Sequence, residues 1–395
     1  MPLPTPFHPR TSELCESLLF KVWAGYHAVC SYDTSHDREY FALRHAAGLI
    51  DVSPLYKYDL RGPDAARLLS RVTVRDIGKL AVGRVTYLCW CDDEGKIVDD
   101  GTVARLSENH YRMTAAEPTF AWLHKFAGPY DVDIEDTSES LAALAVQGPT
   151  SRDTLASAID DNLDSLRFFG LRHATIAGHD VVITRTGYTG DLGYEVWVAR
   201  DHAVPVYDAI LGAGRAYRAI PAGLDAMDVT RVEAGFIMNG VDYFSAHHCL
   251  IESRKSTPYE LGLGWTINLE RDPFVGQAAL QAEKARGPSW RVIGLQMIWD
   301  ELEAIYARYG LPPQLPSAAW RTSVPLYVSG RQVGYATSGA FSPLLKANLA
   351  LAHVESGNHT LGNRLEIEVT VEHHRHTVGA IVTKTPFFDP ERKRS

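Results

Sequence analysis

Apolar positions in this chain recur mostly with a period of two, in short runs that come in pairs across a turn. Residues 179–184 (HDVVIT) and 194–198 (YEVWV) are rich in β-branched and aromatic residues, and the glycine-rich RTGYTGDLG lies between them. Glycine takes positive φ without a steric penalty, so the pattern predicts a hairpin with an irregular turn that sets Glu195 on a rigid strand. Residues 85–106 (VTYLCWCDDEGKIVDDGTVARL) repeat the arrangement, with a turn at 92–95 followed by Asp99 and Asp100. Successive residues of a strand point to opposite faces, so these two acids are expected to face apart. Helical spacing takes over at 202–216 and at 221–236, where Arg231 and Glu233 sit beside apolar positions. Two segments, YDLRGPDAARLL (58–69) and AVQGPTSRDTL (145–155), read as one βα unit used twice, with Asp64 and Thr150 placed to cap the helices through their side chains. From residue 291 onward VIGLQMI, VPLYV, LEIEVTV and VGAIVT, separated by Gly, Pro and Ser, predict an all-β closing domain.

At 395 residues, 45% of them apolar, the chain exceeds one comfortable core and predicts two or three domains. Its net charge of −9 is modest and its basic residues are scattered, which argues against a nucleic-acid partner. The five cysteines are odd in number and form no CxxC pair, a usage that fits reduced thiols and a cytoplasmic location. The amino terminus lacks a charged region followed by an apolar run, and no apolar stretch reaches ~18 residues, so neither a signal peptide nor a membrane role is expected. Cys89 and Cys91 share a strand face and read as packing. His373, His374 and His376 would divide between two faces with no fourth ligand, which reads as a polar strand edge, and no metal is expected.

The stretch RTGYTGDLGYEVWV (185–198) resembles the RTGYTGExGxEI signature of the glycine cleavage system T-protein family. Further segments are similar to that family and occur in its order: LRGPDA (60–65), GKIVDDGTV (95–103), AVQGP (145–149), RVEAG (231–235), PYELGLGWTI (258–267), FVGQAAL (274–280) and TSGAFSPLLKANLALA (337–352). The resemblance covers nearly the whole chain. It implies an α+β fold of three domains in a cloverleaf around a central folate-binding channel, the last a β-barrel-like domain. Residues 1–50 with 142–257 would form the folate-binding first domain, 51–141 with 258–287 the second, and 288–395 the barrel. Tetrahydrofolate is the implied cofactor.

A pterin offers its ring NH and exocyclic amine as parallel donors, for which a carboxylate is the natural bidentate acceptor. By residue chemistry alone Glu195 belongs in solvent, whereas the resemblance makes it the pterin-binding glutamate. Asp99 likewise reads alone as a solvated hairpin end. It matches the family's catalytic aspartate, placed to steer a proton on the folate nitrogens or to stabilise cationic character there. Tyr87 falls at a folate-proximal tyrosine and Tyr188 in the glycine-rich turn; either could stack, hydrogen-bond or serve as a buried structural residue. Arg231 matches the arginine of the family's LRLEAG helix, as a ligand contact or as an ion-pair partner of Glu233 or Glu195.

Two departures bear on the one-carbon donor. Met227 stands where glycine cleavage members read ARD, and NGVDYFSAHHCLIESRKS (239–256) replaces YGxDIDE with a longer loop. Relatives with changed loops demethylate sulfonium compounds, methylated amines or aromatic methyl ethers, and others serve as folate domains of dimethylglycine and sarcosine oxidoreductases. No FAD-binding glycine fingerprint is present. The expectation is therefore a demethylase that moves a methyl group from a small methylated donor to tetrahydrofolate. The alternatives are an aminomethyltransferase, which takes its unit from a lipoyl carrier protein and yields methylene-tetrahydrofolate and ammonia, and a noncatalytic folate-binding protein, whose KGCYxGQE motif is absent. Methyl transfer needs in-line positioning, and an ether needs an acid for its departing oxygen. Tyr243, His247 and His248 are the candidates for that acid and for contact with the donor, although a loop residue ordinarily faces solvent.

Overall fold

Four sheets organise the chain in the computed structural model, which describes every residue except Asp161 and Ser317. Gly48–Asp51, Leu141–Gln147, Leu171–Ile176, His179–Thr184, Gly193–Ala199 and Ile220–Pro221 form a six-stranded sheet. Inserted between its first two strands is a five-stranded sheet built from Tyr56–Arg61, Arg84–Cys91, Ile97–Ser107, His110–Ala115 and Asp133–Asp136. Six strands between residues 290 and 383 close a barrel, and Leu3–Pro4, Leu19–Trp23 and Tyr26–Ser31 make a small amino-terminal sheet. The fold is α+β with a carboxy-terminal β-barrel, as the sequence predicts.

Both predicted hairpins form. His179–Thr184 pairs antiparallel with Gly193–Ala199, which puts Thr184 opposite Glu195. Arg84–Cys91 pairs with Ile97–Ser107 around a turn where Gly95 has φ +74°. Asp92 stabilises that turn by accepting the backbone N–H groups of Glu94 and Lys96, a turn chemistry open to a short acidic side chain.

The helix expected over 221–236 is shorter, Leu224–Glu233. Pro221 belongs to a strand, and Gly223 lies so close to Cys30 that a Cβ would come within 2.2 Å of its carbonyl oxygen. Val229 and Val232 are buried together with Ala143, Ala145 and Trp197 of the six-stranded sheet and Ala340 and Leu349 of the barrel. Each such buried side chain contributes about 1.5–3 kcal/mol, so this helix joins two of the sheets.

Three local expectations fail. Asp64 and Thr150 stand at helix N-caps without making side-chain cap bonds. Asp64 instead pairs with Arg67 and accepts the N–H of Asp131, and Thr150 donates to the carbonyl of Tyr217. The closing domain is not all β, because Trp299–Ala307 is a helix that buries Leu302 and Ile305, three residues apart, against the barrel core. The carboxy-terminal histidines flank Tyr309, which hydrogen-bonds His376 at 2.9 Å and stacks on His374.

Candidate functional site

The glycine-rich loop is fitted around Gln147, from the AVQGP segment of the neighbouring strand. Gln147 Nε2 donates to the carbonyls of Thr186 and Tyr194, and its Oε1 accepts from Thr189. A Cβ at Gly187 or Gly193 would lie 1.9 or 2.2 Å from that amide, so glycine is required there by close approach. At the far end Asp191 takes a bidentate bond from Arg392, with both contacts at 2.7 Å. These contacts fix the strand that carries Glu195.

Glu195 Oε2 accepts from Thr186 Oγ1 at 2.7 Å and lies 3.5 Å from Thr184 Oγ1. No partner meets Oε1 among the described residues. The carboxylate lines a cleft between two of the sheets. Thr184, Thr186 and Trp197 share its wall, and Val85, Thr102, Ala104 and Thr114 of the five-stranded sheet form the opposite side. Burial raises the pKa of Glu195, while the threonine hydroxyls pull it back toward the ionised form.

Asp99 and Asp100 lie on the strand of that opposite side, three and two residues before Thr102. The expected separation of their side chains fails at the carboxyl groups, since the Tyr243 hydroxyl reaches both: Asp99 Oδ1 at 3.3 Å and Asp100 Oδ1 at a short contact. Asp99 is fully buried. Its Oδ2 accepts the N–H groups of Ala116 and Glu117, both at 2.9 Å, and its Oδ1 accepts from Asn239 Nδ2 and the N–H of Asp100. Asp100 is partly accessible and accepts from Tyr87 Oη at 2.7 Å as well as from Tyr243. Burial and the neighbouring Asp100 charge push Asp99 up to about 7, against the pull of its hydrogen-bond donors. Asp100 is raised as well, by burial, with Tyr243 and Tyr87 opposing.

Arg231 is fully buried but pairs with neither Glu233 nor Glu195. Its guanidinium bonds Asp228 at 2.8 Å, Asp242 at 2.6 Å and Ser338 Oγ at 3.1 Å, and Nη2 has no partner among the described residues. Burial works against its charge, and Asp242 and Asp228 outweigh it, so the group stays protonated. Glu233 pairs instead with Arg44 and accepts from Tyr40 and Ser342, which ties the helix to the barrel. Tyr188 donates to the carbonyl of Ile237 and tilts against Phe236. Met227 is buried among apolar neighbours.

Of the three candidate acids in the altered loop, only Tyr243 meets the acid pair. His247 packs on Trp122 with ring centroids 5.0 Å apart, and exposed His248 lies 3.7 Å from Glu117. Asn239 and Asp242 are not singled out by the sequence. Asn239 falls where the loop departs from YGxDIDE, whereas Asp242 matches that pattern's first aspartate, and neither fact tells which residues turn inward.

The chain has close counterparts among known proteins. Residues 15–271 match the family described as GCVT N-terminal domain, and residues 308–389 the family described as Glycine cleavage T-protein C-terminal barrel domain. An aminomethyltransferase of Herpetosiphon aurantiacus is 34% identical over 360 residues, 90% of this chain and 91% of that protein. One from Caldanaerobacter subterraneus subsp. tengcongensis is 33% identical over 334 residues, 83% of this chain and 82% of its own. In fold, the crystal structure of glycine cleavage system aminomethyltransferase T from Bartonella henselae superposes with a TM-score of 0.82 at 24% identity, covering 98% of both chains. No helix among the described residues is long and apolar enough to cross a membrane. The matched domains, the relatives' identity over most of the chain and the shared architecture together make this protein a member of the glycine cleavage T-protein family and, with it, a one-carbon transferase.

Proposed function

We infer that the protein passes a one-carbon unit to tetrahydrofolate, and that this unit is an aminomethyl group carried on a lipoyl protein, with ammonia released. The relatives, which are named aminomethyltransferases, favour this donor over the small methylated compound expected from the altered loop. The observation that carries the folate reading is Glu195, a carboxylate with one oxygen open to a cleft whose other wall is the strand of Asp99 and Asp100.

The residues fit the group. Glu195 Oε1 is free for one donor of the pterin, and Oε2 is shared with hydroxyls that can turn away to admit a second. Val85, Ala104, Val182 and Trp197 give the cleft apolar walls, and a drier site strengthens a charged hydrogen bond. Tetrahydrofolate would supply the nitrogen nucleophile that receives the carbon. Asp99, poised at about 7, holds or gives up a proton near neutrality on the opposite side, where the accepting nitrogen loses a proton and the departing amine gains one. Arg231 keeps one amino group unpartnered among the described residues, but the side chain is fully buried and does not line the cleft.

A second reading, methyl transfer from a small methylated donor, is favoured by one observation. Tyr243 sets a phenol against the acid pair at the point where the loop departs from the family, and an ether oxygen would need such an acid. The test supplies purified protein and tetrahydrofolate with the aminomethylated lipoyl carrier, and separately with sulfonium, quaternary ammonium, methylamine and methoxyaromatic donors, and identifies the folate product by mass. Methylene-tetrahydrofolate from the carrier alone supports the first reading. Methyl-tetrahydrofolate from a small donor supports the second, and failure to bind tetrahydrofolate refutes both.

A further inference from the structure

Residues 239 and 243 differ from the family's YGxDIDE pattern, and both turn onto Asp99. The loop makes this possible because Gly240, at φ +78°, lets the chain double back so that Asn239 bridges Tyr243, and the N–H of Gly240 bonds the Tyr243 carbonyl at 2.8 Å. Between them Asp242 anchors the turn. It accepts from Arg231, from Thr337 and Ser338 of the barrel at 2.6 Å each, and from the N–H of Met238. Asn239 and Tyr243 are thus held against the acid pair by a buried network.

The two carboxylates are supplied unequally. Among the described residues Asp99 is met by four N–H donors besides Tyr243, whereas Asp100 is met by the phenols of Tyr87 and Tyr243 alone. A phenol has one proton to donate, so Tyr243 serves one carboxylate at a time. We propose that Tyr243, assisted by Asn239, is the positioning residue of the acid pair: its single hydroxyl, set between Asp99 and Asp100, keeps the two like charges in register and fixes the orientation of the Asp100 carboxylate. This rests on the one-carbon transfer reading above and adds to it a role for the loop that sets this chain apart.

The other ionisable groups facing the cluster are Tyr87 and Cys89 on the paired strand, Tyr188 in the glycine-rich loop, and Asp242 with its partner Arg231. None of these supplies a further donor to Asp100 apart from Tyr87. Removing the Tyr243 hydroxyl therefore removes one of two donors that favour the ionised form of Asp100, and its titration moves to higher pH.

The test is Tyr243→Phe, which keeps the ring in the buried cluster with Cys89, Ile237 and Leu261. Carboxyl titrations are followed by NMR in protein labelled with ¹³C-aspartate. Loss of one hydrogen bond to a charged group moves the Asp100 midpoint up by about one to two pH units. Turnover falls about 10- to 100-fold while the affinity for tetrahydrofolate is retained. Asn239→Ala, at a partly exposed position, raises the Asp99 midpoint in the same direction and carries the test if the phenylalanine variant does not fold. Unshifted carboxyl titrations in a folded variant overturn the proposal. Because the titration needs no donor, a wild type that binds no folate would refute the functional reading while the positioning role is still decided by the midpoints.

Discussion

Glu195 and Asp99 both lie on strands that follow a glycine-containing turn, yet their surroundings differ in kind. Among the described residues Glu195 keeps one oxygen free and its other oxygen meets only hydroxyls, which can reorient. Asp99 is enclosed, with backbone N–H groups and an amide on both oxygens and a second carboxylate at its side. An open carboxylate suits recognition, because a ligand's donors can complete its hydrogen bonds. An enclosed one beside a like charge suits proton handling, because its pKa is set by the protein before any ligand arrives. In this account the two hairpins divide binding from chemistry.

The largest expected effect is on turnover. Asp99→Asn removes the titrating group and should lower kcat by about 10²–10⁴-fold in a steady-state assay with whichever donor is active; a near-normal rate would break the division. Glu195→Ala should raise the KM for tetrahydrofolate by about 10- to 100-fold, the weight of a charge-assisted hydrogen bond, with much less effect on kcat.

Gly187→Ala probes the scaffold beneath Glu195. The new Cβ would strike the Gln147 amide, which is held by three hydrogen bonds, so a destabilisation of about 1–3 kcal/mol is expected in denaturant melts. An unchanged melt would show that the loop is looser than its packing indicates.

A smaller effect is the pH dependence of stability. The folded pKa of Asp99, about 7, lies above the ordinary carboxyl value of 3.8. The protonated group therefore favours the folded state, and its contribution is full below about 4 and lost as pH rises through about 7. The Tm advantage of the wild type over Asp99→Asn should narrow between pH 5 and pH 8, and a gap that widens would reverse the assignment. The smallest effect is that of His248→Ala, which should change the rate less than about twofold, since the imidazole is exposed and among the described residues meets only Glu117.

Much of this comparison was legible in the sequence where it depended on local pattern. β-branched alternation marked both hairpins, whereas Glu195 and Asp99 were marked by the resemblance to the T-protein family, since local pattern alone places both acids in solvent. What was hidden depended on distant partners. Nothing near Arg231 announces that Asp242, on a later loop, would displace Glu233 as its partner. The need for glycine at 187 arises from Gln147 on another strand. Strand alternation separates the Asp99 and Asp100 backbones correctly, but a phenol long enough to reach both reunites their carboxyl groups. The helix Trp299–Ala307 was missed because strand-like runs before and after it dominated the pattern.

Calorimetric titration of tetrahydrofolate into the wild type, Glu195→Ala and Asp99→Asn tests the division most directly. The account predicts that Glu195→Ala weakens Kd by about one to two orders of magnitude while Asp99→Asn binds as the wild type does. Equal binding by Glu195→Ala and the wild type, or a loss confined to Asp99→Asn, would contradict it.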